Sequence, residues 1–100
     1  MAKSKSYKEY LIDSLKDQDA AAGYLNAALE DNDPEVFLLA LRDVAQANED
    51  GMTRLAKRAK LNRESMYKML SATGNPELHS LSVLLGVLGM QLAVKVKKAS

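Results

Sequence analysis

The chain contains no cysteine and no tryptophan, and it has one histidine, one phenylalanine and two prolines among 100 residues. Without cysteine, neither a disulfide framework nor thiol chemistry is available. The single histidine, His79, leaves no Ser/His/Asp set and no cluster with metal-ligand spacing, and a glycine-rich phosphate loop is absent. No apolar run approaches the length of a membrane span or resembles a signal peptide. We therefore expect a cytoplasmic protein without enzymatic activity, metal or cofactor.

The charged residues are unevenly distributed, although the net charge of the whole chain is only +1. Residues 1–51 contain five basic and eleven acidic residues, whereas residues 52–71 contain six basic residues and one acidic residue. An acidic first half and a basic centre favour two surfaces for two kinds of partner. The basic surface suits phosphate, because neutralising phosphates releases counterions and supplies most non-specific affinity for DNA. The alternative interpretation of a basic run is an ordinary solvated helix surface.

Apolar residues at helical spacing predict an all-α fold in one domain. The first predicted helix covers residues 7–16, and the second follows an N-cap at Asp17. The third begins at Pro34, because Asp33 can cap a helix and proline fits its first position. A further helix is predicted over residues 78–88, where a glycine then ends it.

Residues 52–70 have the pattern of two short amphipathic helices joined by a tight turn, which is typical of a helix-turn-helix. Asn62 is a favourable N-cap for the second helix. Lys60 stands where most such motifs have glycine, since one residue of the turn needs a positive φ, and a non-glycine residue there costs on the order of 1 kcal/mol. The apolar positions that we expect to hold the two helices together are Leu55, Ala56, Ala59, Leu61, Met66, Met69 and Leu70.

The polar positions of this motif are candidate DNA contacts. Arg63 and Lys68 can donate to guanine, and Glu64 can accept from a cytosine amino group. Tyr67 can reach a phosphate with its hydroxyl or pack against a thymine methyl group. The alternative for Glu64 is a surface ion pair with Lys60 or Lys68. The full set of predicted DNA-binding residues is Thr53, Arg54, Lys57, Arg58, Asn62, Arg63, Glu64, Ser65, Tyr67 and Lys68, of which those before Asn62 are better placed for phosphates.

The segment from residue 90 to 97 alternates apolar and polar side chains, which predicts a C-terminal strand. A strand needs a partner for its backbone groups, and the candidates are a second copy of the chain, a strand of another protein or a short strand near the N-terminus. A frayed tail is the alternative. A homodimer fits DNA binding best, because a two-fold protein reads two half-sites. The predicted organisation is an N-terminal helical extension packed on the domain (1–33), a helix-turn-helix domain (34–89) and a strand or tail (90–100).

Several segments together resemble a known family: AGYLNAALED at 22–31, DP at 33–34, LLALRDVA at 38–45, GMTRLA at 51–56, LNRESMYKMLS at 61–71 and GNP at 74–76. The chain is similar over residues 7–96 to the probable addiction-module antidote proteins, HigA-type antitoxins with a lambda-repressor-like (XRE-like) helix-turn-helix. The resemblance implies an all-α, lambda-repressor-like bundle. It also implies a small bacterial protein that neutralises a RelE/ParE-like, mRNA-cleaving toxin and represses the shared operon as a dimer on an operator of double-stranded DNA.

On this chain the recognition role implied by the resemblance falls on Asn62, Arg63, Glu64, Ser65, Tyr67 and Lys68. The family has no clear motif for toxin contacts, and the acidic first half is the physical candidate because toxins of this class are basic. Two other hypotheses stay open. One is a phage-like or stand-alone helix-turn-helix regulator without a toxin partner, and the other is an interaction module that keeps the helical fold without binding DNA.

Overall fold

The computed structural model describes residues 6–48, 51–71 and 73–98, and it is helical, as the apolar periodicity predicts. The helices within these residues are α1 (Tyr7–Ser14), α2 (Gln18–Glu30), α3 (Pro34–Ala47), α4 (Gly51–Arg58), α5 (Arg63–Met69) and α6 (Leu78–Val87). None of the helices in these ranges is long and apolar enough to cross a membrane.

Short polar side chains determine where helices begin. The Oδ2 atom of Asp17 accepts a hydrogen bond from the Ala20 N–H at 2.9 Å, and the Oδ1 atom of Asp33 accepts one from the Glu35 N–H at 3.0 Å. Pro34 occupies the first turn of α3, where its missing N–H removes no helical bond. The predicted caps at Asp17 and Asp33 are therefore confirmed, because this capping chemistry depends only on neighbouring residues.

Gly89 follows Leu88, the C-cap residue of α6, and its φ is +83°. The Met90 N–H donates to the Leu85 carbonyl at 2.8 Å, and the Gly89 N–H donates to the Gly86 carbonyl at 3.0 Å. This pair of bonds is the Schellman motif, which needs a left-handed residue just after the helix. The predicted stop at Gly89 is confirmed.

Helix α3 supports the rest of the fold, since α1, α2 and α4 all pack against it. Leu41 and Ala45 of α3 are fully buried. Leu25 of α2 and Leu84 of α6 belong to the same apolar core. The N-terminal helices therefore share one core with the helices that carry the basic centre.

Two side-chain hydrogen bonds tie α2 to other helices. The hydroxyl of Tyr24 donates to Oδ2 of Asp43 in α3 at 2.8 Å, and Nε2 of Gln18 donates to the carbonyl of Leu88 at 3.2 Å. Burial and the hydrogen bond to the Asp43 carboxylate raise the pKa of Tyr24 to about 12. The second bond joins the start of α2 to the end of α6, which are far apart in the sequence.

The predicted C-terminal strand is not found: residues 90–98 form neither helix nor strand. A strand needs a second strand to hydrogen-bond with, and the described residues contain none. Leu92 lines an apolar groove together with Leu29 and Phe37, whereas Val94 and Val96 are 100% and 93% exposed. The side chains do alternate, but residues 6–48, 51–71 and 73–98 offer this segment no strand to pair with.

Candidate nucleic-acid interface

The turn between α4 and α5 (residues 59–62) is built around Lys60, whose φ is +58°. The Leu61 N–H donates to the Ala56 carbonyl at 2.8 Å, and the Lys60 N–H donates to the Lys57 carbonyl at 3.1 Å. These are the two bonds of a Schellman motif, here formed on lysine instead of glycine. The expectation of a positive φ at Lys60 is confirmed, and α4 therefore ends sharply before α5 begins.

Helix α5 begins at an N-cap. The Oδ1 atom of Asn62 accepts a hydrogen bond from the Ser65 N–H at 2.6 Å, which confirms the predicted cap. Because this bond uses the side-chain oxygen of Asn62, the side-chain NH2 group is the part left to donate to a ligand. Glu64 is exposed on the first turn, and neither Lys60 nor Lys68 forms an ion pair with it in the described part of the chain.

Apolar side chains hold the two helices together from within. Leu55, Met66 and Leu70 are fully buried, and Leu61 packs on the core from the turn. The apolar positions predicted for this pair of helices are confirmed. Since these side chains occupy the inner faces, the cations of α4 and α5 lie on the outside of the molecule.

Of the ten predicted DNA-binding residues, Tyr67 is half-buried and the other nine are exposed. The predicted residues that belong to α5 lie on two sides of that helix. Ser65 and Lys68 line a groove of about 520 Å³ between α5 and the loop at residues 73–77. Arg63 and Tyr67, four residues apart, contact each other on another side of the helix.

The candidates on α4 do not all share one surface with α5. Arg58 lines a smaller cleft of about 220 Å³ together with Lys16, Gln18 and Leu88. That cleft lies at the junction of the N-terminal helices with the end of α6. The remaining α4 candidates, Thr53, Arg54 and Lys57, are exposed.

Tyr67 contacts two arginines from different helices. The Cζ atoms of Arg63 in α5 and of Arg42 in α3 are each 5.6 Å from the centre of the Tyr67 ring, within the range of a cation–π contact. Sequence reasoning missed Arg42 because it belongs to the acidic first half. The available signal was that Arg42 is the only arginine of residues 1–51.

The loop after α5 packs closely on the end of that helix. The Gly74 N–H donates to the Ser71 carbonyl at 2.9 Å. A Cβ atom at Gly74 would overlap the Met69 carbonyl oxygen and lie 2.9 Å from that of Lys68. Only glycine fits this approach, so the loop forms a fixed wall of the groove beside Ser65 and Lys68.

The site is thus a set of exposed cations and hydrogen-bond donors around a short, capped helix. Such groups are chemically suited to phosphate oxygens and to the edges of bases. Among the residues that the structure describes, no group of three or more histidine, aspartate or glutamate residues is arranged to hold a metal ion.

Comparison with known proteins gives the family. A model of the probable addiction module antidote protein family matches residues 6–96, which include α1 to α6 and every candidate residue. A protein of Haemophilus influenzae strain Rd, described only as uncharacterized, is 34% identical over 94 residues, and the match covers 85% of this chain and 95% of the relative. No solved structure matches. The chain therefore belongs to the probable addiction module antidote protein family.

Proposed function

We propose that this chain is a cytoplasmic, non-enzymatic antitoxin of HigA type that binds DNA through a lambda-repressor-like (XRE-like) helix-turn-helix formed by α4 and α5. It neutralises a RelE/ParE-like toxin and represses the operon that encodes both proteins. Membership in the antidote family supports the antitoxin role. The observation that carries the DNA-binding role is the exposed, Asn62-capped start of α5 beside the cations of α4.

In this proposal, α5 enters the major groove of an operator. Arg63 donates to guanine from the first turn, and Lys68 does so from the next turn. Arg54 and Lys57 of α4 bind backbone phosphates, which fix the register of the protein without selecting a sequence. The positive φ at Lys60 supports this arrangement, because it permits the short turn that a helix-turn-helix requires.

The toxin binds a different surface. Exposed acidic side chains lie along α2 and at the start of α3, among them Asp19, Glu30, Asp31 and Glu35. A toxin of the RelE/ParE class needs a basic surface for RNA, and opposite charges steer two such proteins together. The acidic and basic surfaces of this chain are therefore available to two partners.

The DNA-bound form is a homodimer, because a two-fold protein matches two half-sites about one helical turn apart. Val94 and Val96 support this proposal, since both are almost fully exposed on the segment after α6 and can be covered by a second copy. We expect truncation after Gly89 to weaken operator binding. A truncated protein that sediments as a dimer and binds DNA normally would show that the tail has no such role.

Fluorescence anisotropy with a labelled duplex from the region upstream of the gene tests DNA binding, with a scrambled duplex of the same length as reference. We expect a steep fall in affinity between 50 and 200 mM salt. Arg63→Ala should lose roughly tenfold in preference for the upstream duplex, as expected for a base contact. Lys8→Ala, which removes an exposed cation from α1, is the matched control. Absence of binding to every duplex at low salt would refute the DNA-binding role.

The toxin partner is tested separately. A small basic protein encoded next to this gene is expressed alone and then together with this chain. We expect growth arrest in the first case and recovery in the second. DNA binding without any rescue would favour a stand-alone regulator, whereas rescue without DNA binding would leave an antitoxin that does not repress its operon.

A further inference from the structure

We infer that Arg42 of α3 is an additional DNA contact, held beside the recognition helix by the ring of Tyr67, which it shares with Arg63. The inference rests on the proposed DNA-binding function. It extends the interface from α4 and α5 to the central helix, and it gives Tyr67 a role as a positioning residue for Arg63.

The geometry around the ring supports this assignment. The Cζ atoms of Arg42 and Arg63 are each 5.6 Å from the ring centre. Arg42 and Tyr67 are both half-buried, so packing restrains them, whereas Arg63 is exposed. A guanidinium that rests on an aromatic ring keeps its N–H donors for other partners. Neither arginine uses those donors in a hydrogen bond within the described part of the chain.

The charges around the ring favour an anion. Since both guanidinium groups lie 5.6 Å from one centre, they are at most about 11 Å apart, twice that distance. This is close to the Debye length of about 10 Å at 0.1 M salt, so their repulsion is only partly screened. The nearest carboxylate in sequence, Asp43, accepts the hydroxyl of Tyr24 at 2.8 Å, and no ion pair joins it to Arg42 in the described residues. A polyanion is the partner that relieves this repulsion.

The two parts of the cluster have different expected effects. Arg42 extends from α3, outside the helix that reads bases, so it contacts a backbone phosphate and contributes equally on all sequences. Tyr67 restrains Arg63, which contacts a base, so it contributes to discrimination between sequences. This difference allows the roles of Arg42 and Tyr67 to be measured separately.

The first experiment measures the affinity of Arg42→Ala for the upstream and scrambled duplexes over a salt series. We expect binding to both duplexes to weaken roughly threefold to tenfold, and the slope of log affinity against log salt to fall by about 0.9, as for the loss of one phosphate contact. Arg42→Lys, which keeps the cation, should retain the slope. Lys8→Ala should match the wild type. Arg42→Gln keeps most of the side-chain length and is measured in parallel, so that a folding defect of the alanine variant does not imitate a lost contact.

The second experiment compares Tyr67→Leu with Tyr67→Phe. Removing the ring should lower the preference for the upstream duplex about fivefold, because a base contact is misplaced. The salt slope should fall by no more than the roughly 0.9 expected for Arg42→Ala, because the ring also restrains Arg42. Phenylalanine keeps the ring and should keep the preference. A merely structural role of Tyr67 would instead weaken both duplexes equally.

The inference is overturned if Arg42→Ala and Arg42→Gln both behave like Lys8→Ala in affinity and in slope. In that case the wild-type preference for the upstream duplex and its loss in Arg63→Ala would still support the proposed function. If the wild type binds no duplex at low salt, both the proposed function and this inference are overturned.

Discussion

The turns after α4 and after α6 have the same hydrogen bonds but are built on different residues. Lys60 closes the first with a φ of +58°, and Gly89 closes the second with a φ of +83°. In both, the next residue donates to the helix five positions back. The backbone geometry of a Schellman turn therefore does not require glycine. The two turns differ in the space that is available to a side chain at the left-handed residue.

The surroundings explain the choice at each turn. At Gly89 a Cβ atom would overlap the side chain of Gln18, which bonds the Leu88 carbonyl, so a larger residue conflicts with the junction of α2 and α6. At Lys60 the side chain is exposed among the cations of the candidate interface. A left-handed lysine lowers the stability of the fold by an amount on the order of 1 kcal/mol. In return, it places a cation at the proposed DNA surface, where it favours binding. Asn32, with a φ of +58° after α2, is a third case, in which the residue tolerates this conformation well.

The largest effect expected among the glycines is at Gly74, where space and not conformation is limiting. Gly74→Ala brings a Cβ atom against the carbonyl groups of Met69 and Lys68, and we expect a loss of about 2–3 kcal/mol in the free energy of unfolding, measured in urea. Gly86→Ala in α6 is the control, because its Cβ would meet no atom within 4 Å. It should stabilise the protein by about 0.5–1 kcal/mol. Equal effects of the two changes would contradict this explanation.

Gly89→Ala tests the α6 turn directly. We expect a loss of about 1–2 kcal/mol, from the left-handed conformation and from displacement of the Gln18 side chain. Gln18→Ala separates the two causes, because it removes the hydrogen bond to Leu88 and leaves the glycine in place. We expect the double variant, Gln18→Ala with Gly89→Ala, to be no less stable than Gly89→Ala alone, because Gly89→Ala already breaks the hydrogen bond from Gln18 to Leu88.

Lys60→Gly should stabilise the protein, whereas Gly74→Ala and Gly89→Ala destabilise it. Relief of the left-handed lysine should raise the free energy of unfolding by about 1 kcal/mol, while the lost cation weakens binding to a DNA duplex. Lys60→Asn should lie between the two in stability. A glycine variant that binds DNA as tightly as the wild type would show that the lysine is not retained for its charge.

The smallest effect is a pH dependence that neither turn should influence. The pKa of Tyr24 is raised to about 12, above its ordinary value of 10.0. The protonated hydroxyl therefore stabilises the fold fully below pH 10, and this contribution is lost as the pH rises through 12. Relative to Tyr24→Phe, the wild type should lose about 1 kcal/mol between pH 9 and pH 12 in urea titrations. Gly89→Ala should show the same loss as the wild type. A Tyr24→Phe variant with an unchanged pH profile would contradict the assignment.

Helix starts and turns could be predicted from sequence because their causes are local. A cap such as Asn62 bonds an N–H three residues away, and the left-handed position at Lys60 follows from the length of the turn. The tail could not be predicted in the same way. The alternation of Leu92, Val94 and Val96 is typical of a strand, but a strand forms only with a partner, and local sequence does not specify one.

The candidate site shows the same limit. The exposed position of Arg63 follows from the cap and the helical period. The contact of Tyr67 with Arg42 depends on where the fold places α3 relative to α5, because the two residues belong to separate helices. Charge counting placed Arg42 in the acidic half of the chain, whereas the fold brings it to the basic surface.

The hydrogen bond from Gln18 to the Leu88 carbonyl has a kinetic consequence. It closes a loop of 70 residues, whereas the contacts of α4 with α5 are between near neighbours. Long loops lose more chain entropy on closure, so we expect the central helices to assemble before this bond forms. Amide hydrogen exchange should accordingly show the start of α2 and the end of α6 opening together, at lower free energy than Leu41 and Leu55.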